Sequence, residues 1–218
     1  MALRTVAAAV PLTLVLSLFT ASSRRPAVPD RHRRNEAATC RVSVGDTFDG
    51  TGVVVSAAGY VVTASSLLEQ CDGCAITVCD GGPRGTWRAA QLIGVDKIAG
   101  IALLKLDGKV DDAAAPAAST PADGLPVYAL TFEVGVGAKR LEGEVRHAYP
   151  QAVLTDLPNP PGSLGSGVYG SRDGRLLGIL VGTADDPETP ERPGSKDLGA
   201  LIPVSAVRVL LKANNIPF

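Results

Sequence analysis

Histidine is nearly missing from this chain of 218 residues, which carries only His32 and His147. An imidazole is the side chain whose ordinary titration falls between about pH 5 and 8, so any proton relay built on one has just two sources. Aromatic residues are scarce too, at 4% of the chain against 45% hydrophobic residues overall. The core is therefore expected to consist of Val, Leu, Ile and Ala, a palette that suits many short strands. Charge of one sign is lacking: 21 Lys and Arg face 22 Asp and Glu, for a formal net charge of −1. Taken over the chain as a whole, that balance marks neither a polyanion binder nor an acidic decoy, and nucleic acid is not suggested. No internal repeat stands out. The length suffices for one double-barrel domain or two small ones, with a real core.

What is present begins with a leader. After Arg4, residues 5–21 are uncharged and mostly apolar or small, ending in Thr20-Ala21-Ser22-Ser23. Residues 1–23 read as a secretory signal peptide or a signal anchor, with an organelle transit peptide as the alternative. The expected location is secreted or extracytoplasmic, membrane-anchored if the leader stays uncleaved. Residues 24–39 open on a basic, proline-punctuated stretch that reads as a flexible linker, and His32 falls in it. Cys40, Cys71, Cys74 and Cys79 are an even count behind an export-type leader, so disulfides are the first reading, with the pairing open. Zinc is disfavoured because the spacing lacks paired knuckles. A redox role for Cys71 and Cys74 is weaker, since no thioredoxin-like strand and helix surround them. No metal or cofactor is expected.

Between residues 40 and 108, short apolar runs alternate with turn clusters, giving strands at 40–44, 51–56, 60–64, 75–79, 87–94 and 101–106. Residues 109–126 have little periodicity and read as a connection. Six more strands follow within residues 127–218, at 127–131, 139–145, 152–155, 167–169, 176–182 and 200–202. His147 lies at the end of the second of these, as a surface or turn histidine. Residues 183–197, rich in Asp, Glu, Pro and Gly, read as a long exposed loop, and 204–213 has a helical apolar pattern. Twelve strands in two sets of six point to two antiparallel barrels.

Four segments carry a more specific signal: Gly50-Thr51-Gly52-Val53-Val54-Val55 with Gly59-Tyr60-Val61-Val62-Thr63, Ile93-Gly94-Val95-Asp96-Lys97-Ile98-Ala99-Gly100-Ile101-Ala102-Leu103, Pro161-Gly162-Ser163-Leu164-Gly165-Ser166-Gly167, and Leu198-Gly199-Ala200-Leu201-Ile202-Pro203-Val204. In order and spacing they resemble the HtrA/DegP family of serine proteases over residues 43–213. The resemblance implies an all-β, trypsin-like chymotrypsin fold of two antiparallel six-stranded barrels with a C-terminal helix. It also implies where a catalytic triad belongs: Ser66 stands at the histidine position, Gly100 at the aspartate position and Leu164 at the nucleophile. Family members typically add PDZ modules, and none is expected in the residues up to Phe218.

These three residue types cannot run the reaction. A serine hydroxyl is a weak nucleophile until a base takes its proton and a third group orients that base. Ser66 is no base near neutral pH, Gly100 has no side chain, and Leu164 offers hydrocarbon. A remnant oxyanion loop at Gly162, Ser163 and Leu164 is what the resemblance leaves. The expectation is a catalytically inactive homologue that binds a peptide or protein partner in the remnant cleft. The alternative is a weak serine endopeptidase using a relocated hydroxyl, Ser166 or Ser163. A third reading is a structural or assembly subunit. Nothing in the sequence fixes the oligomeric state.

Overall fold

The computed structural model describes residues 30–45, 48–69, 73–80, 85–133, 137–188 and 197–218. A first closed antiparallel barrel is made of β1 (Thr39–Val44), β2 (Phe48–Ser56), β3 (Tyr60–Ala64), β4 (Ile76–Cys79), β5 (Trp87–Asp96) and β6 (Ile101–Leu106), in the order β1-β2-β3-β6-β5-β4. The second comprises β7 (Pro126–Glu133), β8 (Gly137–Ala148), β9 (Val153–Thr155), β10 (Gly167–Gly170), β11 (Leu176–Ala184) and β12 (Leu198–Pro203), in the order β10-β11-β12-β9-β8-β7. A single 3-10 turn, Ser65–Leu67, follows β3. The chain closes on α2 (Val204–Ala213), which packs Val204, Val207, Leu210 and Leu211 inward.

Short continuous apolar runs, buried on both faces, make the central strands. Valines 53, 61, 62 and 78 and leucines 103, 104 and 106 are fully buried in the first barrel, and Val168, Leu176, Ile179 and Leu180 fill the second. The connection at 109–126 is stitched to both. Ala114 N donates to Val54 O at 2.9 Å, and Ala117 N donates to Leu176 O at 2.8 Å. Arg208 of α2 adds a bond to Ala117 O.

The stretch expected to be a flexible linker differs where it is described: α1 (Asp30–Ala38) is a helix docked on the second barrel. Its composition gives no apolar stripe, so periodicity could not reveal it; tertiary contacts hold it instead. His32 is buried and stacks on Tyr128 with ring centroids 5.1 Å apart, and Tyr128 stacks on Tyr169 at 5.3 Å. Arg140 lies over Tyr128, 3.9 Å from its ring centre, with Nη1 3.5 Å from His32 Nδ1. Asn35 Nδ2 donates to Tyr128 Oη at 2.9 Å and to Gly174 O at 2.7 Å, and Thr39 Oγ1 donates to Asn35 O at 2.7 Å. His32 is thus a docking residue rather than part of a loose tail. Residues 1–29, with the leader, lie outside the described residues. No described helix is long and apolar enough to cross a membrane.

The cysteines also depart from a fully paired framework. Cys40 and Cys79 are free thiols. Cys74 is disulfide-bonded, and Cys71 lies outside the described residues. Burial pushes the Cys40 thiol strongly up from its ordinary range, with Asp80 adding to it. Cys79 is raised by the same two causes, burial first.

Candidate functional site

Where the two barrels meet, the positions of Ser66, Gly100 and Leu164 converge through backbone bonds. Ser65 N donates to Gly100 O at 2.9 Å, tying the turn after β3 to the turn before β6. Thr51 N donates to Leu164 O at 2.8 Å, tying β2 to the loop before β10. Gly165 then sits against the same strands: at φ +86°, a Cβ there would lie 1.9 Å from Thr51 O and 2.3 Å from Thr63 Oγ1. Only glycine fits that approach. The sequence motif around Gly165 is therefore a packing requirement of the barrel junction.

Thr51 is the hub of this junction, and pattern reading gave it no role beyond a strand residue. Its hydroxyl donates to Gly162 O at 2.8 Å and accepts from Phe132 N at 2.9 Å, while its carbonyl accepts from Thr63 Oγ1 at 2.6 Å. The signal that could have found it is its place between Gly50 and Gly52. A Cβ at Gly50 would meet Leu67 at 2.3 Å, and one at Gly52 would meet Val61 at 2.8 Å. Small flanking residues mark the close approach of a second element.

The side chains at this junction are chemically quiet. Ser66 Oγ is shielded from solvent and has no hydrogen-bond partner. Gly100 has φ +70°, and a Cβ placed on it would meet only Val181 Cβ, at 4.0 Å. An apolar residue thus faces the position at which the resemblance expects an aspartate. Leu164 is half-buried in a turn. The two candidate replacement hydroxyls are both fully buried. Ser163 Oγ donates to Asn159 Oδ1, and Ser166 Oγ has no partner.

The loop of Gly162, Ser163 and Leu164, where the resemblance places an oxyanion hole, is braced by backbone bonds. The N–H groups of Ser163, Gly165 and Ser166 are committed to the carbonyls of Pro160, Leu180 and Ser163, at 3.0, 2.7 and 3.0 Å. Among the described residues, those of Gly162 and Leu164 have no backbone partner. Two such donors are what an oxyanion hole requires, and they lie beside a hydrocarbon side chain.

Neither histidine joins the site. His147, at the end of β8, faces away into a polar cluster, with Nε2 3.0 Å from Asp186 Oδ2 and Nδ1 3.6 Å from Asp123 Oδ2. Asp186 is buried although it lies in the segment expected to be an exposed loop. Its Oδ1 accepts from Glu188 N at 2.9 Å, so the cluster pins the start of that loop to the barrel. Among the described residues, no group of three His, Cys, Asp or Glu is arranged to hold a metal ion.

One strand edge is open. β10 begins at Gly167 and pairs with β11 only as far as Ile179, with Ser166 extending the contact to Leu180. β11 runs on to Ala184, paired with β12 through Gly182, Thr183 and Ala184. Among the described residues these last positions are bonded on one side only, and Thr183 and Ala184 are exposed.

A model of the trypsin-like peptidase domain matches residues 50–179 of the sequence. No curated protein matches. Among solved structures, the serine endoprotease from Yersinia pestis superposes with a TM-score of 0.70 at 22% identity, over 84% of this chain and 65% of that one. The HtrA-type protease AlgW, solved with a tripeptide, gives a TM-score of 0.69 at 24% identity, over 84% of this chain and 62% of that one. This chain thus spans less than two thirds of the length of either. Identities this low speak for a shared twin-barrel fold.

Proposed function

Given that the chain belongs to the trypsin-like peptidase domain family, we propose that it is a member without peptide-bond hydrolysis that retains the cleft as a binding site for an extended peptide or protein partner. One observation carries the reading: both histidines are engaged elsewhere, while the positions that the resemblance assigns to base, orienting acid and nucleophile hold Ser66, Gly100 and Leu164. Losing one triad member lowers turnover by about 10⁴ to 10⁶, and the losses are not additive because the members act as a unit. The buried hydroxyls of Ser163 and Ser166 offer a substrate no accessible nucleophile. The alternative of a relocated serine therefore lacks both a base and an approach path.

Binding remains available. An extended peptide adds a strand to an open edge through main-chain bonds and needs no proton relay. The free side of Gly182, Thr183 and Ala184 supplies that edge, and Leu164 and Val181 supply an apolar floor. On the character of residues 1–23, we place the protein outside the cytosol.

The test is capture of peptides from a random library by the purified protein and by Leu164→Asp. The reading expects enrichment of apolar extended sequences, lost in the variant, with no cleavage product from either. Identical captured sets would show that the cleft is not the binding surface and would favour an assembly role. Cleavage products would favour the endopeptidase reading.

A further inference from the structure

We propose that the exposed face of α1, together with the neighbouring cations of the second barrel, lies on a bilayer surface that carries anionic headgroups. The reading extends the placement outside the cytosol and is independent of whether the cleft binds peptide.

Cations collect on and around the exposed side of α1. α1 presents His32 and Asn35 to the second barrel, which leaves Arg33 and Arg34 on the exposed side. Arg31 is anchored at one flank, its Nη1 donating to Asp173 O at 2.9 Å, and Arg172 is exposed just before that turn. At the other flank Arg140 is fixed by stacking on Tyr128, with Lys139 exposed beside it. The acidic residues that share the region are Asp30 and Glu36 of α1, Asp173 and Glu142, the last paired with Arg140 at 3.1 Å. The surplus of cations here contrasts with a formal charge of −1 for the whole chain. Charge of one sign collected on one face of a near-neutral protein is a surface for an opposite charge.

The choice of lipid over an acidic protein rests on the chain upstream. The uncharged run of residues 5–21 lies eight residues before Asp30, and those residues include Arg24 and Arg25. Eight residues reach at most about 28 Å when fully extended. If the apolar run enters a bilayer, α1 is thereby kept close to the headgroups, where each Arg or Lys adds to binding within a Debye length.

The experiment is flotation of the full-length protein with vesicles of phosphatidylcholine alone and of phosphatidylcholine with phosphatidylglycerol. Arg33→Gln/Arg34→Gln is compared with the wild type. Insertion of the apolar run is common to both vesicle types, so the difference between them reads the basic face. The expected result is stronger recovery on anionic vesicles, weakened about thirty-fold in the double variant and by 0.5 M NaCl, with an unchanged melting temperature. Equal recovery on both vesicle types, or an anionic preference that the double variant keeps, would overturn the proposal. So would soluble polyglutamate that binds the lipid-free protein as tightly as the anionic vesicles do, which would assign the face to an acidic protein partner.

Discussion

Two regions of the molecule have been built by opposite means. At the barrel junction, where the resemblance places the triad, backbone groups and the hydroxyls of Thr51 and Thr63 make the connections, while Ser66 Oγ has no partner among the described residues and Gly100 and Leu164 have nothing polar to offer: Thr51 to Leu164, Ser65 to Gly100, and Gly165 wedged against Thr51. At the α1 seam, side chains make the connections: His32 on Tyr128, Arg140 over it, and Asn35 bonded to both Tyr128 and Gly174. A catalytic centre is ordinarily where polar side chains are densest and most tightly coupled. Here that density has moved to a structural seam and to the His147 cluster. The lesson is that a trypsin-like frame is specified by glycine-permitted backbone approaches, which do not depend on the side chains that stand between them.

Substitutions can break that contrast. Gly165→Ala should be the most damaging, because the new Cβ would overlap the Thr51 carbonyl at a positive φ. We expect a loss of more than about 4 kcal/mol in urea unfolding, or no soluble protein. Tyr128→Ala removes the centre of the three-ring stack and should cost about 3–5 kcal/mol. Tyr128→Phe keeps the stack, loses only the Asn35 bond, and should cost about 1 kcal/mol. Gly100→Ala has open space and only its φ to oppose it, so about 1–2 kcal/mol is expected. If Gly100→Ala proved as costly as Gly165→Ala, the distinction between a packed and a vacated triad position would be wrong.

Titration sharpens the comparison further. Cys40 and Tyr169 are fully buried and raised above their ordinary range chiefly by that burial. A group whose folded form holds its proton more tightly than the unfolded form costs stability as pH climbs. Stability should therefore be undiminished at neutral pH and fall from about pH 9 upward, an effect that Cys40→Ala reduces in pH-dependent melts. The smallest effect is one of reactivity: in the folded protein, iodoacetamide should modify Cys79 and leave Cys40 untouched until denaturant is added. Equal modification rates would contradict the burial of β1.

Much of this was legible in the sequence, for identifiable reasons. Runs such as Val53 to Val55 and Ile101 to Leu106, bounded by turn glycines, announce strands because they are short, apolar and rich in branched residues, and both faces of these strands are buried. α2 was legible at 204–213 because Val204, Val207, Leu210 and Leu211 repeat at helical spacing. α1 was not: its helix is held by an asparagine, a histidine and an arginine from β8, none of which forms an apolar period. The glycine motifs of the junction were readable because they are dictated by close approach, as at Gly165. Thr51 was not singled out, since a threonine in a strand looks the same whether its hydroxyl is idle or joins two barrels. The burial of Asp186 depends on His147, which is 39 residues away in the chain, and local composition carries no trace of it.

The central claim is that no hydroxyl in the cleft is activated, and a fluorophosphonate probe with mass-spectrometric detection tests it most directly. The account predicts no adduct on the folded wild-type protein, and none on Leu164→Ser, which restores a hydroxyl without a base. A covalent adduct on Ser66, Ser163 or Ser166 that disappears when the protein is first unfolded by heat would contradict it.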